Sequence, residues 1–214
     1  MDGVTLAGRI SGPGGGRQAP VQRQGPERLG QDSAPRRRPG QSESGIQSRK
    51  RSAGEPPDSP EDDLWYTRQK IGNATLRVVY KVSDPAANSG VFTRIPIRPK
   101  SEDDAIDKGI EVQIQDTGDD FHCTGVLYSM TQAKARPYKP AGEWNTLEIT
   151  MKGPRTTVKL NGVLVTDYDG VSPVPPKGGR YEPERGPRPD SGYIAIQHHG
   201  GAETLWFKEI SLLP

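Results

Sequence analysis

Gly109-Ile110-Glu111-Val112-Gln113-Ile114-Gln115-Asp116 alternates apolar and polar side chains without a break. In a β-strand successive side chains leave by opposite faces, so Ile110, Val112 and Ile114 share one face and Glu111, Gln113 and Gln115 the other. The apolar face suits a core. The polar face is unusual for a solvated strand, because a carboxylate between amides offers orienting hydrogen bonds and one titratable group. Taken alone, this strand reads equally well as one with a plain polar outer side.

The same period of two recurs along the chain. Leu76, Val78, Tyr80 and Val82 alternate with Thr75, Arg77, Val79 and Lys81; further runs follow at Val91–Ile95, Thr146–Met151, Gly192–His199 and Thr204–Leu212. Asn161-Gly162 stands between the alternating runs Thr157–Leu160 and Val163–Thr166, which predicts a type I′ hairpin, since both central residues of that turn need positive φ. Asp84-Pro85 breaks one strand, Asn88-Ser89-Gly90 has turn composition, and Thr117-Gly118-Asp119-Asp120 turns the chain again. Pro96–Lys108 and Lys134–Gly142 read as polar loops, and Val171–Asp190 as a proline-rich excursion. No long stretch keeps a helical apolar period. Many short strands divided by turns predict an all-β, two-sheet antiparallel sandwich or a barrel.

Only 31% of the 214 residues are hydrophobic, against 26 Gly and 21 Pro, so the core must be concentrated in part of the chain. Residues 1–60 are rich in Gly, Pro, Arg, Ser, Gln and Ala with scattered apolar positions, and read as a disordered low-complexity tail. Its basic clusters, Arg36-Arg37-Arg38 and Arg49-Lys50-Arg51, read as solvated charge. Gly, Pro, Arg and Ala have GC-rich codons, so a misplaced start is a further reading of this stretch. Order is expected from about Asp63, giving a folded domain over residues 62–214. The formal net charge of +2 provides no bias toward nucleic acid, and no apolar run reaches the roughly 20 residues of a membrane span. Met1–Pro20 shows no apolar segment of the secretory kind, and the single Cys123 excludes an intrachain disulfide.

Three strands offer chemically varied faces. Phe92 and Arg94 are expected opposite Val91, Thr93 and Ile95; Tyr193, Ala195, Gln197 and His199 are expected opposite Ile194 and Ile196. Gathered in one sheet with Glu111 and Gln113, these make a face with an aromatic platform, a guanidinium, a carboxylate, amides and an imidazole. That inventory suits a sugar. Singly, each has a plainer reading: Arg94 as a surface ion pair, His199 as a turn residue, Phe92 as core. His122 and His198 carry less weight. A metal held by His198 or His199 with Glu111 or Asp116 is conceivable, but no recognisable ligand spacing occurs, so no cofactor is evident and a divalent metal stays open. No glycine-rich phosphate loop or serine nucleophile elbow is present. Asn73-Ala74-Thr75 matches a glycosylation sequon.

Five separated motifs carry a resemblance. Asn88-Ser89-Gly90-Val91-Phe92 with Arg94, Glu111-Val112-Gln113-Ile114, Gly142-Glu143-Trp144-Asn145, Leu160-Asn161-Gly162, and Gly192 to Gly200 with Trp206-Phe207-Lys208-Glu209-Ile210 resemble the 3-keto-disaccharide hydrolase domain family, over about residues 62–214. The resemblance implies a concanavalin A-like (LamG-like) jelly roll acting on 3-keto-glycosides, often in periplasmic or secreted proteins. Family members open with one or more strands before the equivalent of Leu64, where this chain has its tail; absent strands would leave a sheet edge unpaired. The implied reaction is C2 proton abstraction beside the C3 ketone, elimination at C1 and hydration. On this reading Glu111 and His199 transfer protons, with the base left open between them; Arg94 meets the enolate or a hydroxyl, Gln113 and Gln197 position the sugar, and Phe92 packs against it. A metal could replace Arg94 as the charge stabiliser. The alternatives are a non-catalytic carbohydrate-binding module and a scaffold or interaction domain. Aglycone, linkage and oligomeric state are not readable.

Overall fold

The structure, a computed structural model, describes residues 8–11, 46–48, 64–199 and 203–213. The strands are β1 (Gly8–Ser11), β2 (Ile46–Ser48), β3 (Leu64–Ile71), β4 (Ala74–Val82), β5 (Ser89–Ile95), β6 (Ile110–Ile114), β7 (Asn145–Lys152), β8 (Arg155–Leu160), β9 (Val163–Tyr168), β10 (Gly192–Ile196) and β11 (Thr204–Leu213). One short helix, α1 (Glu102–Lys108), lies between β5 and β6. The strands form two antiparallel sheets, a smaller one in the order β2-β3-β10-β5-β6 and a larger one in the order β1-β11-β4-β7-β8-β9. The chain crosses from sheet to sheet between most consecutive strands, as in a jelly roll.

The period of two places the core. Leu76, Val78, Tyr80, Leu147, Ile149, Val158 and Leu160 of the larger sheet meet Val91, Ile110, Val112, Ile114, Ile194 and Ile196 of the smaller one. Each fully buried aliphatic side chain of this kind contributes about 1.5–3 kcal/mol relative to exposure. At the β8–β9 hairpin Leu160 pairs with Val163, and Asn161 and Gly162 take φ of 51° and 83°, as a type I′ turn requires.

Four local expectations change. Ser89 and Gly90 of the presumed turn are strand residues of β5, paired with Ile114 and Gln113. The segment read as a polar loop, Pro96–Lys108, contains α1. Its acidic first turn (Glu102, Asp103, Asp104) and closing Lys108 suit the helix dipole, and Lys108 Nζ bonds Asp104 Oδ1 at 2.5 Å, but seven residues are too few to display a period. β3 is a strand although its sequence lacks clean alternation. Within the stretch read as a disordered tail, β1 pairs with β11 and β2 with β3, one at an edge of each sheet, where absent strands were expected to leave a sheet edge unpaired. Strands of three or four residues give no periodic signal. The remainder of residues 1–60 lies outside the described residues.

The break in strand phase that bears on the candidate residues lies inside β5. Phe92 pairs with Ala195 and Ile95 with Tyr193, so β5 takes three steps where β10 takes two. Arg94 absorbs the extra residue at φ 57°. Gly192 allows the close approach: a Cβ there would lie 2.2 Å from the Arg94 carbonyl carbon. No helix among the described residues is long and apolar enough to cross a membrane.

Candidate functional site

The three strands with varied faces are neighbours, in the order β10-β5-β6. On the side away from the core, Ala195, Phe92 and Glu111 stand in one lateral row. In the next row Gly90 pairs with Gln113 and accepts a 2.9 Å bond from the Gln197 backbone N–H. Residues 125–128 extend the sheet past β6. Gln113 N donates to Val126 O at 3.0 Å, and Tyr128 N donates to Glu111 O at 3.0 Å, so Tyr128 neighbours Glu111.

Glu111 is only 6% exposed and leans across β5 over Gly90. A Cβ at Gly90 would fall 2.1 Å from Glu111 Oε1, so this glycine leaves the space that the carboxylate occupies. The Gln113 amide spans Glu111 and Asn88. One end lies 3.0 Å from Glu111 Oε1 and 3.1 Å from Ser89 O, the other 3.0 Å from Asn88 Oδ1. With Nε2 turned to the carboxylate, it donates to both Glu111 and Ser89 O; turned away, its oxygen faces only acceptors. Ser89 Oγ donates to Gln197 O at 2.8 Å. Asn88, Ser89 and Gly90 thus each serve the site, by contact, tie and clearance.

Gln197 is 6% exposed, its Nε2 3.5 Å from Glu102 Oε1 on α1, while its Oε1 has no partner among the described residues. Burial pushes the Glu102 carboxyl above the usual carboxylate range, against the Gln197 bond, which lowers it. Tyr128 is half-buried; burial, then the charges of Glu111, Glu182 and Asp119, raise its phenol. His122 sits edge-on to Tyr128 with ring centroids 4.8 Å apart, and its Nδ1 lies 2.7 Å from Asp119 Oδ1.

The other sequence-derived candidates divide. His199 is exposed, two residues past Gln197 and beyond the end of β10. Phe92 is no open platform. It is packed with Ile95 and Ala195 beneath Ala105 and Ile106 of α1. Arg94 leaves this face altogether, because the bulge turns it toward the larger sheet. Its guanidinium donates to Gly153 O at 2.8 Å, Arg155 O and Pro189 O at 3.0 Å, and Thr156 Oγ1 at 3.3 Å. Burial lowers its pKa, partly offset by Asp190.

The proline-rich excursion forms a wall. Arg185 donates to Pro175 O and Pro183 O at 2.7 Å, to Glu182 Oε2 at 2.8 Å and to Ser129 Oγ at 3.2 Å. Arg188 donates to Gly109 O at 3.0 Å and Asp107 O at 3.2 Å, and also to Glu184 O. These bonds fasten the excursion to the α1–β6 junction and to the segment of Tyr128. Among the described residues no three His, Cys, Asp or Glu side chains gather as a cation site. Sequence reading missed Glu102, Asn88, Gly90 and Tyr128. A Ser-Glu-Asp-Asp helix start was the available signal for the first.

A two-sheet antiparallel sandwich with a buried carboxylate among amides on its outer side belongs with the hydrolase-like, carbohydrate-related β-sandwiches. The model of the 3-keto-α-glucoside-1,2-lyase-like domain matches residues 25–213, and the chain belongs to that family. Among solved structures, a candidate glycosyl hydrolase from Parabacteroides distasonis ATCC 8503 is 27% identical, with a TM-score of 0.55 over 71% of this chain and 82% of its own. A second candidate glycosyl hydrolase from that organism, 19% identical, shares the fold with a TM-score of 0.56 over 70% of this chain and 75% of its own. A third, 21% identical, does so at 0.51 over 71% and 67%. No curated protein matches the chain.

Proposed function

We propose that the chain cleaves 3-keto-glucosides, 3-keto-disaccharides among them, by elimination and hydration. The observation that carries this reading is the Glu111 carboxylate, sequestered over Gly90 and oriented by Gln113. A ketone at C3 acidifies the C2 hydrogen. Glu111 removes that proton to give an enolate; the C1–O bond then breaks, a C1=C2 bond forms and the bond electrons leave with the aglycone oxygen. Water then adds at C1 and C2 regains its proton, so the sum is hydrolysis. Immobilisation favours Glu111 over exposed His199 as the base, and leaves His199 to meet the sugar at the rim. Arg94 is committed to backbone carbonyls, so the charge on the enolate oxygen falls to another donor. The Tyr128 hydroxyl, held protonated by burial and nearby carboxylates, fits that role.

The test is incubation with a 3-keto-disaccharide and detection of released monosaccharide. Turnover is expected, with kcat/KM lower by about 10²–10⁴ in Glu111→Gln. Binding without release would instead make the protein a carbohydrate-binding module. Neither binding nor release would remove the sugar reading.

A further inference from the structure

We propose that Glu102, on α1, is the acid that protonates the departing glycosidic oxygen; this rests on the elimination reading above. Ala105 and Ile106 seat α1 on Phe92, Ile95 and Ala195, which fixes the helix over the same outer face that carries Glu111. From its first turn Glu102 reaches the row of Gln113, Gly90 and Gln197, with Oε1 3.5 Å from Gln197 Nε2. Glu111 lies over Gly90, the middle of that row. Adjacent strands are about 4.8 Å apart, so the two carboxyl groups stand over neighbouring strand positions of one face. Gln197 Oε1, buried and without a partner among the described residues, faces into the same neighbourhood as an acceptor for a sugar hydroxyl.

Each carboxyl group accepts from an amide, Glu111 from Gln113 and Glu102 from Gln197. Glu102 is half-buried with no cation bonded to it among the described residues, and its partial burial favours the neutral form. As the C1–O bond breaks, its electron pair stays on the aglycone oxygen, which takes the proton of Glu102. In hydration the same carboxylate removes a proton from water as the oxygen bonds to C1 and C2 is reprotonated.

An acid catalyst matters in proportion to how poor the leaving group is, which a merely structural residue does not. Wild type and Glu102→Gln are compared on a 3-keto-glucoside of 4-nitrophenol and on a 3-keto-disaccharide, both in D2O. For Glu102→Gln, kcat/KM is expected to fall about a hundredfold or more on the disaccharide and less than about tenfold on the nitrophenyl substrate. Recovered disaccharide should carry deuterium at C2, because proton abstraction survives while departure is blocked. The ratio of the two losses is independent of the fraction of folded protein. Equal losses on both substrates, or no loss on either, would overturn the assignment of Glu102 alone. A wild type that cleaves neither substrate would overturn the elimination reading, and this inference with it.

Discussion

Glu111 and Arg94 start from adjacent strands and finish on opposite sides of the smaller sheet, one over Gly90 and the other bonded to carbonyls at β8. The difference assigns them different work. Arg94→Met removes the donor to three backbone carbonyls and Thr156 while the guanidinium's seat stays enclosed, and is expected to destabilise the fold by about 3 kcal/mol in urea denaturation. Its kcat/KM per folded molecule should stay within a few-fold of wild type, whereas Glu111→Gln loses activity with little loss of stability. A hundredfold activity loss in folded Arg94→Met would return the arginine to the reacting sugar. Alternation alone placed Arg94 beside Phe92; a one-residue bulge reverses every face after it, and nothing in Val91–Ile95 announces the bulge.

At the scale of the element, β10 and α1 shape what β5 and β6 present. Gly192 must lack a side chain because the bulged Arg94 backbone occupies the place of its Cβ. Gly192→Ala is expected to lower stability by about 2 kcal/mol or more, read as Tm, since the obstructing atoms are main chain. Gly179→Ala is the control. Its Cβ would meet only Glu182 Oε1 at 4.0 Å on the surface, and its effect should stay within about 0.5 kcal/mol. Equal effects at the two sites would refute the close-approach account. The sandwich strands were legible because each buries one face and keeps a period of two. α1 was not, because its hold on the sheet comes from two apolar residues, Ala105 and Ile106, meeting a surface assembled by other strands.

Across the molecule, acidic groups oppose one another in their pH dependence. Burial raises the Asp116 carboxyl, although Thr124 Oγ1 donates to it at 2.6 Å. Its contribution is fully present below the unfolded value near 4 and is lost as pH rises through the higher folded value. Surface carboxylates act in the other sense. Asp169, held at about 2 by Ser172 and Val171, stabilises above its unfolded value and loses that contribution as pH falls. Asp116→Asn keeps an acceptor for Thr124 and cannot ionise, so its Tm relative to wild type is expected to rise as pH climbs from about 4 through the raised folded value. A constant difference over that interval would show that Asp116 has no raised folded value.

Local pattern determined the antiparallel sandwich, the type I′ hairpin at Asn161-Gly162 and the faces of Glu111, Gln113 and Gln197, because side-chain period and turn dihedrals are properties of neighbours in the chain. The edge pairing of β1 and β2, the destination of Arg94, the burial of Phe92 under α1 and the approach of Glu102 to Gln197 were decided only by tertiary structure. Each depends on residues far apart in sequence meeting at one place, and the energies that select them, steric clearance and hydrogen bonds to distant carbonyls, exist only once the sheets have assembled.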